Sequence, residues 1–412
     1  MRKLLCFVMA AIMFVACGKD DFGLNSQPEP QNPYAVTPEE AVQMLQSVIG
    51  GETTRSISVS DIQTLSKGDF VPTTRSDANE DAIYIVDIEG GGSAIMSADK
   101  RMEPIYAILD KTKISAEQLI CATTRSSSDE GENIEDYILG LLNSAIQYDI
   151  QEVGQRALPI MPIIPRDELW DVTTVTNRQD PLMNTSWHQG EPFNNSYPVY
   201  NNVTGERYAA GCGPIALAQI IYCNKFPNTI GSLTFSWNLL EQYEDDNNSP
   251  STTATIEVAS FVYKIKEESG ASYATNSAAT GLNISDARKF MRDIGYRNTS
   301  VVEYSLSNVI TMVHSRKLPV YIRGTNQFSS SDRHAWVIDG CNVYKIDHWV
   351  RRYIDAITYN EFIEDTSYYN LLHCNFGWGD EDDWNGDYTS YIFNPSTNVN
   401  YNVDLQLIMY SK

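Results

Sequence analysis

Residues 211–226 read G-C-G-P-I-A-L-A-Q-I-I-Y-C-N-K-F, and no other stretch restricts the fold of this chain as tightly. Two glycines, a cysteine and a proline precede a long apolar run. Proline suits the first helical position because its missing N–H would be unpaired there anyway, so the run is predicted to be a helix opening at Pro214. Ile215, Ala218, Ile221 and Tyr222 fall on one side, which is expected to be buried. Cys212 then lies at the helix N-terminus, where unpaired amides and the macrodipole favour negative charge. Such a site favours the thiolate, the form of cysteine that acts as a nucleophile. Gly211 and Gly213 leave room beside it for a substrate backbone. Cys223 lies about 16 Å further along the helix and reads as a small buried hydrophobe.

A nucleophilic thiol needs a base and a place for the developing oxyanion. His334 begins H-A-W-V-I-D-G (334–340), predicted as a buried strand that follows the polar loop S-S-S-D-R. A histidine at the mouth of a strand is placed to face a cleft. His188, His314, His348 and His373 have weaker contexts: a loop, a helix-like stretch, a charged loop and a strand. The string L-L-H-C-N-F-G-W-G (371–379) is predicted as a strand antiparallel to that of His334. If His334 faces Asn375, the amide bonds the imidazole and sets its tautomer, while Phe376 and Trp378 cover that bond from water. On this register Cys341 lies opposite Tyr368, about 20 Å from Cys374, so no disulfide is expected between them. Upstream, N-T-S-W-H-Q-G-E-P-F-N (184–194) supplies Gln189. Its side-chain amide and the Cys212 backbone N–H can together hold an oxyanion.

The rest of the chain sets compartment and organisation. Arg2 and Lys3 precede an apolar run, Leu4 to Ala16, about 20 Å long as a helix and too short for a ~30 Å hydrocarbon core. It reads as an export signal over 1–17. Phe14-Val15-Ala16-Cys17 resembles a bacterial lipobox, which makes Cys17 the expected lipidation site and gives a membrane partner through that lipid. Residues 18–33 read as a flexible tether. Residues 34–153 are predicted as an α+β body. It has a capped helix from Thr37, strands at 82–88 and 105–109, and a second helix over 134–150. Pro159, Pro162 and Pro165 mark 154–183 as a linker or processing region. The tetrapeptide T-T-R-S occurs at 53–56, 73–76 and 123–126, in polar surroundings suited to nicking. Net charge −23 excludes a phosphate-backbone partner, so no nucleic acid is expected. Past Cys17 five cysteines remain, an odd set that leaves at least one free. No C-x-x-C or H-x-x-x-H pair supports a metal, and the E-x-D-x-N-G string at 381–386 lacks the acidic twelfth position of a calcium loop.

The four strings around Gln189, Cys212, His334 and Asn375, in that order, resemble the streptopain family of papain-like cysteine peptidases. The matching patterns are W-x-Q-G-x-P-[FY]-N, G-C-x-x-x-A-x-A-Q-I, H-A-[FW]-V-I-D-G and N-[FW]-G-W-G. The segment around Ala94 to Asp99 and Pro104-Ile105 is similar to that family's propeptide. The resemblance implies an α+β chain with a papain-like peptidase domain over 184–412: a helical part carrying the nucleophile, and an antiparallel β part. It further implies Cys212 as nucleophile, His334 as general base and acid, Asn375 orienting His334, Gln189 in the oxyanion hole and Trp378 shielding the His–Asn pair. By the same implication the first body is an inhibitory prodomain, the substrates are proteins or peptides, and no cofactor is needed. Gly213-Pro214 after the nucleophile, Phe376 in place of tryptophan and the acidic 380–383 loop depart from the family's pattern. Two other readings fit the same sequence: a peptidoglycan amidase or transpeptidase of similar layout, and a catalytically inactive surface-binding lipoprotein.

Overall fold

A computed structural model describes residues 34–50, 62–72, 77–121, 134–153, 168–244, 250–326, 329–354, 358–379, 384–393 and 402–412. Cys17, the three T-T-R-S strings and the proline-rich stretch lie outside them. The first helix, α1 (Pro38–Ile49), starts where the sequence places it. The Thr37 hydroxyl accepts from the Glu40 N–H, and the Glu40 carboxylate accepts from the Thr37 N–H. That reciprocal pair satisfies two donors a helix start otherwise leaves unpaired. Ala41, Leu45 and Val48 form its buried stripe. Strands β1 (Ile62–Ser66), β2 (Asp81–Asp87), β3 (Ser93–Ser97) and β4 (Ile105–Leu109) form an antiparallel meander, backed by α2 (Ile134–Glu152).

Residues 168–179, inside the stretch expected to be a linker, form the twelve-residue strand β5 (Glu168–Gln179). Its β-branched, alternating residues suit a strand, but the partner that stabilises it lies some 170 residues downstream. The helix expected to carry the nucleophile is α3 (Cys212–Asn224). It begins two residues before Pro214 and is buried on nearly all sides rather than on one, as its uniformly apolar run allows. Helices α4 (Thr252–Ser269) and α5 (Ile284–Asp293) pack beside it.

The β part comprises β6 (Arg297–Glu303), β7 (Val320–Asn326), β8 (Ser329–Tyr353), β9 (Tyr359–Asn375), β10 (Gly386–Thr389) and β11 (Asn402–Ser411). Together with the first body they make one sheet, ordered β1-β2-β3-β4-β10-β9-β8-β7-β11-β6, with β5 pairing on β8. The S-S-S-D-R segment before His334 belongs to strand β8 rather than to a loop. His348 also lies in β8, paired with Asp171 of β5.

The register of the β8–β9 hairpin corrects the sequence expectation. Asn375 pairs with Val337, not His334, and Cys341 pairs with Leu372, not Tyr368. Hairpin register follows the turn and any bulges. Here β8 turns beyond Tyr353, which pairs with Tyr359, and bulges interrupt the ladder at Ile338/Gly340 and His348/Trp349. Cys341 and Cys374 are therefore closer than expected, yet both are free thiols, as are Cys212 and Cys223.

Candidate active site

Helix α3 packs against β7 and β8, and its first residue is Cys212. The entry to that helix needs glycine. Gly211 has φ +91°, and a Cβ there would sit 2.5 Å from the Thr280 carbonyl oxygen. Beyond Cys212, Gly213 lies under the Tyr321 hydroxyl of β7. Tyr321 is fully buried, and both burial and the charge of Cys212 push its hydroxyl pKa up. Arg323, two residues along β7, has its pKa lowered by burial and by the neighbouring Arg333, although the charge of Cys212 opposes that shift. Cys212 therefore lies within electrostatic reach of residues 321 and 323. In the ladder Arg323 pairs with Ala335 and Gly324 with His334. Helix start and histidine strand thus converge on one stretch of β7.

His334 is buried at 6% exposure, in a stack of rings. Trp336, Phe376 and Trp378 lie 6.0, 6.3 and 5.8 Å from it, centroid to centroid. Its Nε2 meets the Phe376 backbone carbonyl at 3.2 Å, and the Trp378 indole nitrogen lies 3.4 Å from the same atom. A carbonyl accepts only, so the shorter contact calls for a proton on Nε2, and the indole N–H, itself only a donor, then makes a ring contact rather than a hydrogen bond with that atom. In the neutral ring that leaves the lone pair on Nδ1.

Asn375 is buried beside this histidine but its amide bonds run elsewhere. Its Nδ2 donates to the Thr185 carbonyl at 2.6 Å, and its Oδ1 accepts from the Gly377 N–H at 3.2 Å. The Thr185 hydroxyl donates to Gln219 Oε1 of α3 at 2.6 Å. The atom meeting the imidazole is thus the carbonyl of the next residue, while Asn375 ties the 375–378 turn to the segment before Gln189. Gly377 has φ +73°, and a Cβ there would come within 2.9 Å of Ile215 on α3. Only glycine lets this turn lie that close to α3.

Gln189 lies in a loop tied to the approach to Cys212. The Ala210 N–H donates to the Gln189 carbonyl at 2.8 Å, and the Gly190 N–H donates to His188 Nδ1 at 3.2 Å. Trp187 is fully buried under Phe193, Tyr222 and Phe261. The W-x-Q-G-x-P-F-N string therefore anchors its aromatics in the core and leaves Gln189 beside the helix entry. The Phe376 carbonyl, Thr185 and Gln219 had no distinct signal in the sequence. Each nevertheless lies within one of the strings that stood out.

Residues 187–385 match the model of the Peptidase C10 family. This segment is a Peptidase C10 domain. The chain is accordingly a cysteine-type peptidase, with mixed helix and antiparallel sheet as expected. A fragment of Prevotella intermedia prointerpain A is similar in fold at TM-score 0.54 and 16% identity, covering 85% of this chain and 100% of that one. Active interpain A from the same organism matches at TM-score 0.42 and 19% identity, over 56% of this chain and 94% of that one. No protein of curated function matches.

His373 is buried between Asp339, 2.6 Å from its Nδ1, and Asp110 of the first body, 3.0 Å from its Nε2. Burial disfavours its charge, but the two carboxylates prevail and hold its pKa well above the usual 6.5. Cys223 is pushed up to about 12, chiefly by burial, which makes it an inert thiol as the sequence indicated. Among the described residues no group of three or more His, Cys, Asp or Glu is arranged to hold a metal ion.

Proposed function

We propose that this chain is an exported, lipid-anchored cysteine endopeptidase made as an autoinhibited zymogen. Cys212 is the nucleophile and His334 its base. With Nε2–H donated to the Phe376 carbonyl, Nδ1 is the basic nitrogen of the neutral ring and takes the Cys212 proton. The thiolate attacks a peptide carbonyl, and the oxyanion is held by the Gln189 amide and the Cys212 N–H. Protonated His334 returns its proton to the leaving amine, and water then cleaves the thioester. Asn375 is a positioning residue: it holds the turn that presents the Phe376 carbonyl and Trp378 to the imidazole. Trp378 stacks over the ring and shields it from water.

The observation that carries this reading is that His334, its Nε2 held by the Phe376 carbonyl, pairs with Gly324 of β7, the strand against which the helix opening at Cys212 packs. The prointerpain A fragment bears the name of a precursor, which supports the reading of residues 34–153 as an inhibitory prodomain. The lipobox at Cys17 and the tether behind it support attachment to the bacterial cell envelope.

Cys212→Ala is expected to abolish release of fluorescence from labelled casein and any self-processing. Retained hydrolysis in that variant would remove the nucleophile. A cell-wall turbidity assay run beside it separates an amidase, and Cys17→Ser should release the protein from the membrane fraction.

A further inference from the structure

Strand β7 carries a local charge opposite to that of the molecule. Side chains two apart on a strand share a face. On β7 that face is marked by Tyr321, since a Cβ on Gly213, the residue after Cys212, would lie 3.2 Å from its hydroxyl. Arg323 is the next residue along the same face. Its cross-strand neighbours are uncharged, Ala335 on β8 and Gln406 on β11. Arg333, which pairs with Thr325, stands diagonally opposite Arg323, within reach of a long side chain.

Two guanidiniums therefore share one face beside the start of α3, in a chain whose 30 lysines and arginines are outnumbered by 53 acidic residues. Arg323 is half-buried and Arg333 exposed. Other arginines of this chain find carboxylates: Arg101 meets Asp99, Arg178 meets Asp180, and Arg351 meets Glu168 and Glu361. Among the described residues neither Arg323 nor Arg333 forms an ion pair. Burial and Arg333 lower the Arg323 pKa, against weaker pulls from Tyr321, Cys212 and Asp404. A partly desolvated cation beside a second cation, with neutral flanks, is stabilised by an incoming anion.

We propose that Arg323, supported by Arg333, is a specificity residue that receives a carboxylate of the substrate beside the bond Cys212 attacks. The inference rests on the reading of Cys212 as a peptidase nucleophile. A guanidinium fork donates to both oxygens of a carboxylate at once. Two sources supply that group: an Asp or Glu side chain flanking the scissile bond, or the carboxylate at a peptide's C-terminus. Either is repelled by the −23 charge of the whole chain, which the arginine pair reverses at this one place.

Matched peptides test this on the enzyme matured from the full chain. One series carries Glu or Gln at each position flanking the scissile bond, with both ends blocked. A second keeps neutral side chains and ends in a free carboxylate or an amide. In one of the two series the charged peptide is expected to exceed its neutral twin in kcat/KM by about 10–100-fold, the scale of a hydrogen bond to a charged group. Arg323→Gln should bring that ratio close to one, and Arg323→Lys should keep part of it. Ratios near one in the unmodified enzyme, or a preference that survives Arg323→Gln, would overturn the proposal. A further readout needs no turnover. In the full chain, alkylation of Cys212 by iodoacetate relative to iodoacetamide, followed by mass spectrometry, should fall several-fold in Arg323→Gln. Both rates falling at an unchanged ratio would mean that Arg323 only tunes the thiol, and the proposal would be lost. No cleavage of any peptide, with an alkylation ratio that still depends on Arg323, would remove the peptidase reading while bearing out the carboxylate site.

Discussion

At the level of single residues the site depends on which atom meets the histidine. Nε2 is held by a backbone carbonyl, so no substitution at Phe376 removes that acceptor. The side chains of Asn375, Thr185 and Gln219 act on it indirectly, through the turn they tie down. Thr185→Val keeps the shape but withdraws the hydroxyl from Gln219 Oε1, whose Nε2 already lacks a partner among the described residues. Stranding a buried acceptor costs about 1–3 kcal/mol, and chemical denaturation should read a loss of that size. Thr185→Ser should recover most of it. Gln189 is instead proposed to act at the reacting atoms. Gln189→Ala should lower kcat by about 10²–10³-fold with little change in stability, the scale seen when one oxyanion donor is removed. A drop confined to KM would assign Gln189 to substrate binding.

At the level of elements, what could be read in the sequence was what neighbouring residues decide. The Thr37–Glu40 capping box, the β4 run and the glycine-bounded entry to α3 all carry their instructions within a few residues. Strand β5 does not, since its polar alternating face is ordered by β8 far downstream and its proline-rich approach suggested a linker. The His334–Asn375 pairing was inferred from chemistry rather than from the turn that sets register, and it missed by three residues. The role of the Phe376 carbonyl was illegible because every residue has one. Strand β10 shows how an element's place alters its chemistry. Asp387, paired with Ile108 across the junction, has its pKa raised from 3.8 to about 6, first by burial and then by the charges of Asp110 and Asp339, against the pull of His373 and Arg178. Between those two values the folded chain keeps a proton that the unfolded chain has released. Stability therefore falls as pH rises through that window and is level on either side of it. Asp387→Asn removes this slope. Melting temperatures taken from about pH 4 to about pH 7 should show the variant gaining steadily on the wild type. A constant difference across the range would mean that Asp387 ionises as freely in the fold as outside it.

At the level of the whole molecule, the sheet passes from the first body into the peptidase without a break, and one core includes side chains from both. Domains joined by a small polar contact unfold separately, whereas parts that share a core and a sheet lose their packing together. The Cys212→Ala chain should accordingly melt in one calorimetric transition, its calorimetric and van't Hoff enthalpies agreeing. Leu45→Ala, a truncation in α1 at a fully buried position, should cost about 2–5 kcal/mol. It should lower that single transition as a whole, carrying the fluorescence of Trp336 and Trp378, which stack on His334, down with it. Were the first body merely laid over the peptidase, the same substitution would split the melt, leaving the tryptophan signal at its original temperature. The continuity of β4 with β10 predicts the undivided melt.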